Sequence, residues 1–109
     1  MPYLVAQGNQ PHYRWRRSVP DGKEVILGRA AGAWSVPWDE HISRKHVRLR
    51  WVADHLSVQI LPEVANPVFL RGSRVESCEI TAGEHFVIGS TTFTLTDAKA
   101  NVSLDVPRP

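Results

Sequence analysis

The sequence predicts an all-β domain, on three observations. Apolar residues recur with period 2 in several short runs, turn-forming residues separate those runs, and no stretch carries a sustained helical repeat. Many short strands joined by turns pack as a sandwich or a barrel.

Taken in chain order, residues 1–11 contain Gly8, Asn9, Gln10 and Pro11 and read as a polar N-terminal leader. Tyr13–Val19 and Glu24–Leu27 are predicted strands around Pro20-Asp21-Gly22-Lys23. That tetrapeptide is a turn by chemistry: proline presets φ, aspartate bonds its own backbone and glycine tolerates positive φ. Ala30–Asp39 has no clear period and is expected as a loop or short edge strand. Val47, Leu49 and Trp51 then alternate with Arg48, Arg50 and Val52, and Leu56, Val58 and Ile60 alternate again after Ala53-Asp54. The pair reads as a hairpin turning at 53–55. Short strands at Val68–Leu70, Arg74–Glu76 and Glu79–Ile80 follow. A second hairpin joins His85–Gly89 to Thr91–Thr96, with Gly89-Ser90 as a tight turn. Residues 99–109 carry two prolines and are expected as a tail or linker, which leaves 12–98 as the domain.

Composition bounds the function. A chain of 109 residues fits one domain, and 42% apolar with 22% charged residues is ordinary for a folded globule. The single cysteine, Cys78, cannot close an internal disulfide, which fits a reducing cytoplasm. No apolar run approaches membrane-spanning length, and the first residues lack the basic and apolar regions of a secretory signal. Ten of the thirteen basic residues are arginine, whose planar fork suits carboxylate or phosphate.

Three polar segments beside predicted strands are candidates for binding an anion. Leu27-Gly28-Arg29 sets a guanidinium after a glycine that permits close backbone approach. Ile42-Ser43-Arg44-Lys45-His46 offers the Ser43 hydroxyl, an outward Ser43 N–H and the Arg44 charge. In Ala65-Asn66-Pro67, Asn66 can donate and accept toward an extended peptide backbone.

These segments, in this order, resemble the forkhead-associated (FHA) family. The resemblance is carried by Leu27-Gly28-Arg29, Ser43-x-x-His46, Asn66, the Arg71-Gly72 turn and ITAGEHFVIG at 80–89 leading into Phe93-Thr94-Leu95, and it spans roughly residues 13–97. It implies a two-sheet β-sandwich of about eleven short strands, FHA/SMAD-like, whose loops at one end bind phosphothreonine. On the matching positions, Arg29 contacts phosphate, Ser43 gives its hydroxyl and N–H, and Arg44 adds a phosphate or peptide contact. Asn66 holds the peptide main chain, while Gly28 and His46 shape the loops. Trp38, His41 and Arg71 are the residues expected to set flanking specificity. The implied partner is a phosphothreonine-containing segment, in cis or in trans, and the module is the sensor of a longer cytoplasmic signalling protein. The chain departs from the family pattern at Ala65, where a phosphate-binding hydroxyl is usual, and at Pro67 and Val68, which replace a Gly-Thr pair.

No catalytic or metal constellation accompanies these loops. His12, His41, His46, His55 and His85 lack a compact ligand spacing, and Ser43 with His46 lacks a nucleophile elbow and an acidic orienter. The expectation is a binding module without cofactor, metal, membrane or nucleic-acid partner. Two rivals remain. One is a phosphate-independent scaffold, favoured by Ala65 and Pro67. The other is a nucleic-acid-binding β domain using Arg14, Arg16, Arg17, Arg48 and Arg50, against which eleven acidic residues nearly balance the charge.

Overall fold

A computed structural model describes residues 2–97 apart from 31, 63 and 65. The departure at Ala65 and the tail at 99–109 therefore lie outside the described residues. Among the described residues there are ten strands: β1 Pro2–Gln7, β2 Arg14–Ser18, β3 Glu24–Leu27, β4 Val47–Val52, β5 His55–Ile60, β6 Val68–Leu70, β7 Ser73–Val75, β8 Ser77–Ile80, β9 His85–Ile88 and β10 Thr91–Asp97. They make two antiparallel sheets, one ordered β2-β1-β10-β9-β6-β7 and the other β3-β4-β5-β8.

The sandwich follows from the alternation. Val47 and Leu49 on β4, Leu56 and Val58 on β5 and Ile80 on β8 point inward from the smaller sheet. Phe86, Ile88, Phe93, Leu95, Leu4 and Ala6 meet them from the larger one. Phe86 and Phe93 are directly opposed across β9 and β10, and their rings stack at 5.0 Å between centroids. Burying side chains of this size stabilises the fold by roughly 1.5–3 kcal/mol each.

One expectation changes. The polar leader is in fact a strand: Leu4, Val5 and Ala6 are buried, and β1 lies hydrogen-bonded between β2 and β10. Because Leu4, Val5 and Ala6 are buried in succession, both faces of β1 are covered and its apolar run is continuous, which a period-2 reading passes over. Pro2, lacking an N–H, sits where a strand tolerates it, at its first residue. Ten strands among the described residues agree with the expected sandwich of about eleven, and after β3 the chain makes an isolated bridge, Gly28 to Ser35, and a 3-10 turn at Gly32–Trp34.

The arginine-rich runs do not form one basic surface. Arg14 and Arg16 flank the inward Trp15 on β2, whereas Arg48 and Arg50 flank the buried Leu49 on β4, so the two sets lie on opposite outer faces. Arg48 approaches Glu24 at 3.4 Å, Arg16 covers the Tyr3 ring and Arg17 the Trp15 ring. A continuous backbone-tracking groove of the nucleic-acid kind does not follow from this split.

Candidate functional site

The chain leaving β3 and the chain entering β4 run together as a backbone ladder beyond the sheet. Arg29 N–H donates to the Ser43 carbonyl at 2.8 Å, Ala30 N–H to the Arg44 carbonyl at 3.3 Å, and His46 N–H to the Leu27 carbonyl at 2.9 Å. Gly28 makes this approach feasible: a Cβ at that position would collide with the Arg44 carbonyl. Arg29 and Ser43 are thus fixed as neighbours although fourteen positions separate them. Neither the half-buried Arg29 nor the exposed Arg44 forms an ion pair among the described residues, unlike Arg48 and Arg71.

His46 ties these two segments to the third. Its imidazole is fully buried, and Nδ1 accepts the Ser43 N–H at 2.9 Å. With Nδ1 accepting, the proton sits on Nε2, which donates to the Asn66 carbonyl at 3.0 Å. Burial pushes the imidazole below its ordinary value, outweighing the Asn66 carbonyl and the Asp39 charge that favour the cation. The ring is neutral, and both nitrogens are spent on holding loops. This corrects one expectation for Ser43. Its N–H is not directed outward, because His46 consumes it, so the hydroxyl is what Ser43 has left to offer.

Asn66 is anchored from its amide nitrogen, which donates to the His41 carbonyl at 2.7 Å. That bond orients the side chain and leaves Oδ1 to accept from a ligand backbone. Pro67 follows directly and biases Asn66 toward extended geometry. These bonds bring together the three segments that carry Arg29, then Ser43, Arg44 and His46, and then Asn66.

The residues expected to set specificity divide. His41 is exposed and stands beside Asn66. Trp38 is half-buried, stacks on Tyr13 with rings 5.7 Å apart and 2° from parallel, and donates its indole N–H to Thr91 Oγ1 at 3.0 Å. It acts as a wall more than as an open platform. Arg71 is not in the cluster. It follows β6, whereas Asn66 precedes it, and its guanidinium is taken by Glu84. The Thr81 N–H and hydroxyl also bond Glu84 and, with Arg71, hold its carboxyl below the usual range.

Asp39 is the residue that sequence reasoning missed. It is buried, and Oδ1 accepts the His41 N–H at 3.0 Å. Oδ2 accepts the Ser90 N–H and the Thr91 hydroxyl, each at 2.8 Å. One carboxylate therefore fastens the segment carrying Trp38 and His41 to the β9–β10 turn. The bond from Asp39 to the N–H two residues on is a local aspartate turn, legible in principle from Asp39-Glu40-His41. The link to Ser90 is not.

No family model matches the sequence, and no curated protein matches it. Solved structures do. The FHA domain of CT664 from Chlamydia trachomatis superposes with a TM-score of 0.74 at 21% identity, covering 88% of this chain and 96% of that one. A structure from work on phosphothreonine-dependent FHA domain interactions gives 0.68 at 18% identity, covering 87% and 96%. The cytoplasmic domain of the type III secretion sorting-platform protein PscD from P. aeruginosa gives 0.74 at 19%, covering 97% and 88%. The chain has the FHA fold.

Proposed function

We propose that this domain recognises a phosphothreonine-containing segment of a partner protein, with no bond made or broken. The observation that supports this most is the backbone bond that locks Arg29 next to Ser43, since one brings a guanidinium with no ion-pair partner among the described residues and the other a hydroxyl. Arg44 adds a second positive charge and Asn66 Oδ1 an acceptor for the ligand main chain. A phosphorylated threonine brings about −1.5 to −2 charge and three acceptor oxygens, which is the complement of this donor set. Charge-assisted hydrogen bonds contribute about 1.5–3 kcal/mol each. After the cost of ordering a peptide, affinity on the order of micromolar is expected. On this reading the domain is the phosphate-sensing part of a cytoplasmic signalling protein, because phosphothreonine is a kinase product.

The test is an NMR titration with a degenerate phosphothreonine peptide pool, alongside unphosphorylated and phosphoserine pools. Shifts should cluster at Arg29, Ser43, Arg44 and Asn66, and R29A should weaken binding at least tenfold. Binding unaffected by R29A overturns the assignment. A phosphate-independent scaffold is the second reading, favoured by the consumption of the Ser43 N–H and by the stiff Asn66-Pro67 step. Binding of an unmodified protein, insensitive to R29A and S43A, would support it.

A further inference from the structure

Three open depressions adjoin one another beside the candidate site. The first, of about 290 Å³, lies between His41 and Asn66 on one side and Pro67, Phe69 and Ser90 on the other. The second, about 180 Å³, is lined by Asn9, Trp38, Glu40, His41 and Ser90. The third, about 460 Å³, lies among Gln7, Gln10, Tyr13, Arg14 and Ser90. Ser90 borders all three, His41 the first two and Asn9 the last two, so they form one trough.

We propose that this trough holds the flank of the same phosphorylated segment, and that the segment carries an acidic side chain about six residues from the phosphothreonine, held by Arg14. This deepens the phosphothreonine reading and rests on it. The length follows from the sheet. Asn66, proposed to hold the main chain beside the phosphothreonine, borders the near end together with Phe69 on β6, and from there the trough crosses β9, β10 and β1 to reach Arg14 on β2, four strand spacings in the observed order. At about 4.8 Å per spacing that is about 19 Å, or about six residues of extended chain.

The chemistry changes along the trough. Pro67 and Phe69, the latter 37% exposed, give an apolar wall at the near end. Glu40 lies midway and disfavours an acidic residue there. Gln7, Asn9 and Gln10 offer amides to a passing main chain, and Arg14 has no ion-pair partner among the described residues. The floor is built before any ligand arrives. Trp38 is bonded to Thr91 and stacked on Tyr13, and Asp39 fixes Ser90, so little ordering is left to oppose binding.

Fluorescence anisotropy with two phosphothreonine peptides tests this. One carries three residues on each side; the other carries eight, with glutamate placed at the sixth position of either flank. The longer peptide should bind about fivefold tighter, in one of its two glutamate arrangements. R14E should abolish that gain while leaving the short peptide unchanged, and lysine in place of the glutamate should restore it. Equal binding of short and long peptides, or an R14E effect on both alike, overturns the extended trough and leaves the phosphothreonine site standing. If neither peptide binds in a phosphate-dependent, R29A-sensitive way, both readings fall.

Discussion

Nδ1 of the buried His46 accepts the backbone N–H of Ser43 at 2.9 Å, so a histidine holds the loop that carries a proposed phosphate ligand. This makes the loop sensitive to protonation. Burial holds the folded-state imidazole below its ordinary value, so the unfolded chain takes up the proton first as pH falls. Stability from neutral His46 is fully present above about pH 6.5 and is lost as pH drops through the lower folded value. Urea denaturation at pH 7.5 and pH 5 should show the gap between wild type and H46Q shrinking in acid. A constant gap rules out His46 as the group responsible. Stability is the right readout, because phosphate itself titrates near pH 6.

Gly28→Ala should disrupt the ladder joining Arg29 to Ser43. The added methyl meets the Arg44 carbonyl, which is backbone and cannot rotate away. Overpacking of this kind costs about 1–3 kcal/mol, a melting-temperature loss of roughly 4–8 °C per kcal/mol at this size. Calorimetry showing an unchanged transition would mean that the two segments separate freely.

Asp39 should matter to stability without touching a ligand. Asp39→Ala strands the Ser90 and His41 N–H groups, at a cost of about 3 kcal/mol. Asp39→Asn keeps one acceptor oxygen and should cost less. Amide hydrogen exchange at Ser90 and His41 reads the effect directly, and unchanged protection in Asp39→Ala would refute the pin.

The two hairpin turns should respond oppositely to glycine and alanine. Ala53 opens the β4–β5 turn at φ 58°, and Gly89 opens the β9–β10 turn at φ 59°. Ala53→Gly relieves about 1–2 kcal/mol of left-handed strain against an unfolded-state cost of about 0.4–1, so a net gain of about 0.5 kcal/mol is expected. Gly89→Ala adds that strain and brings a methyl within 2.8 Å of both Asp39 carboxylate oxygens. Chemical denaturation of the two variants should shift in opposite directions; a shared direction contradicts the turn assignments.

Much of this domain was written locally. Strands β3 to β6 and both hairpin turns follow from alternation and turn chemistry, because one-sided burial leaves a period-2 trace in each segment. The order of Gly28-Arg29, Ser43, His46 and Asn66 was likewise enough to mark the binding loops as candidates. Segments buried on both sides leave no such trace, which is why β1 read as a leader.

What the tertiary structure alone decided concerns partners distant in the chain. Sequence named Ser43 and His46 as members of one motif, and the fold showed that the histidine consumes the serine N–H. The Asp39 link to Ser90 spans 51 positions, and Arg71 leaves the site because β6 places it at the opposite end from Asn66. The physical reason is common to these cases. A side chain's type sets what it can bond, but a buried polar group must be satisfied by whichever partner the packing delivers, and that partner is chosen by the sheets.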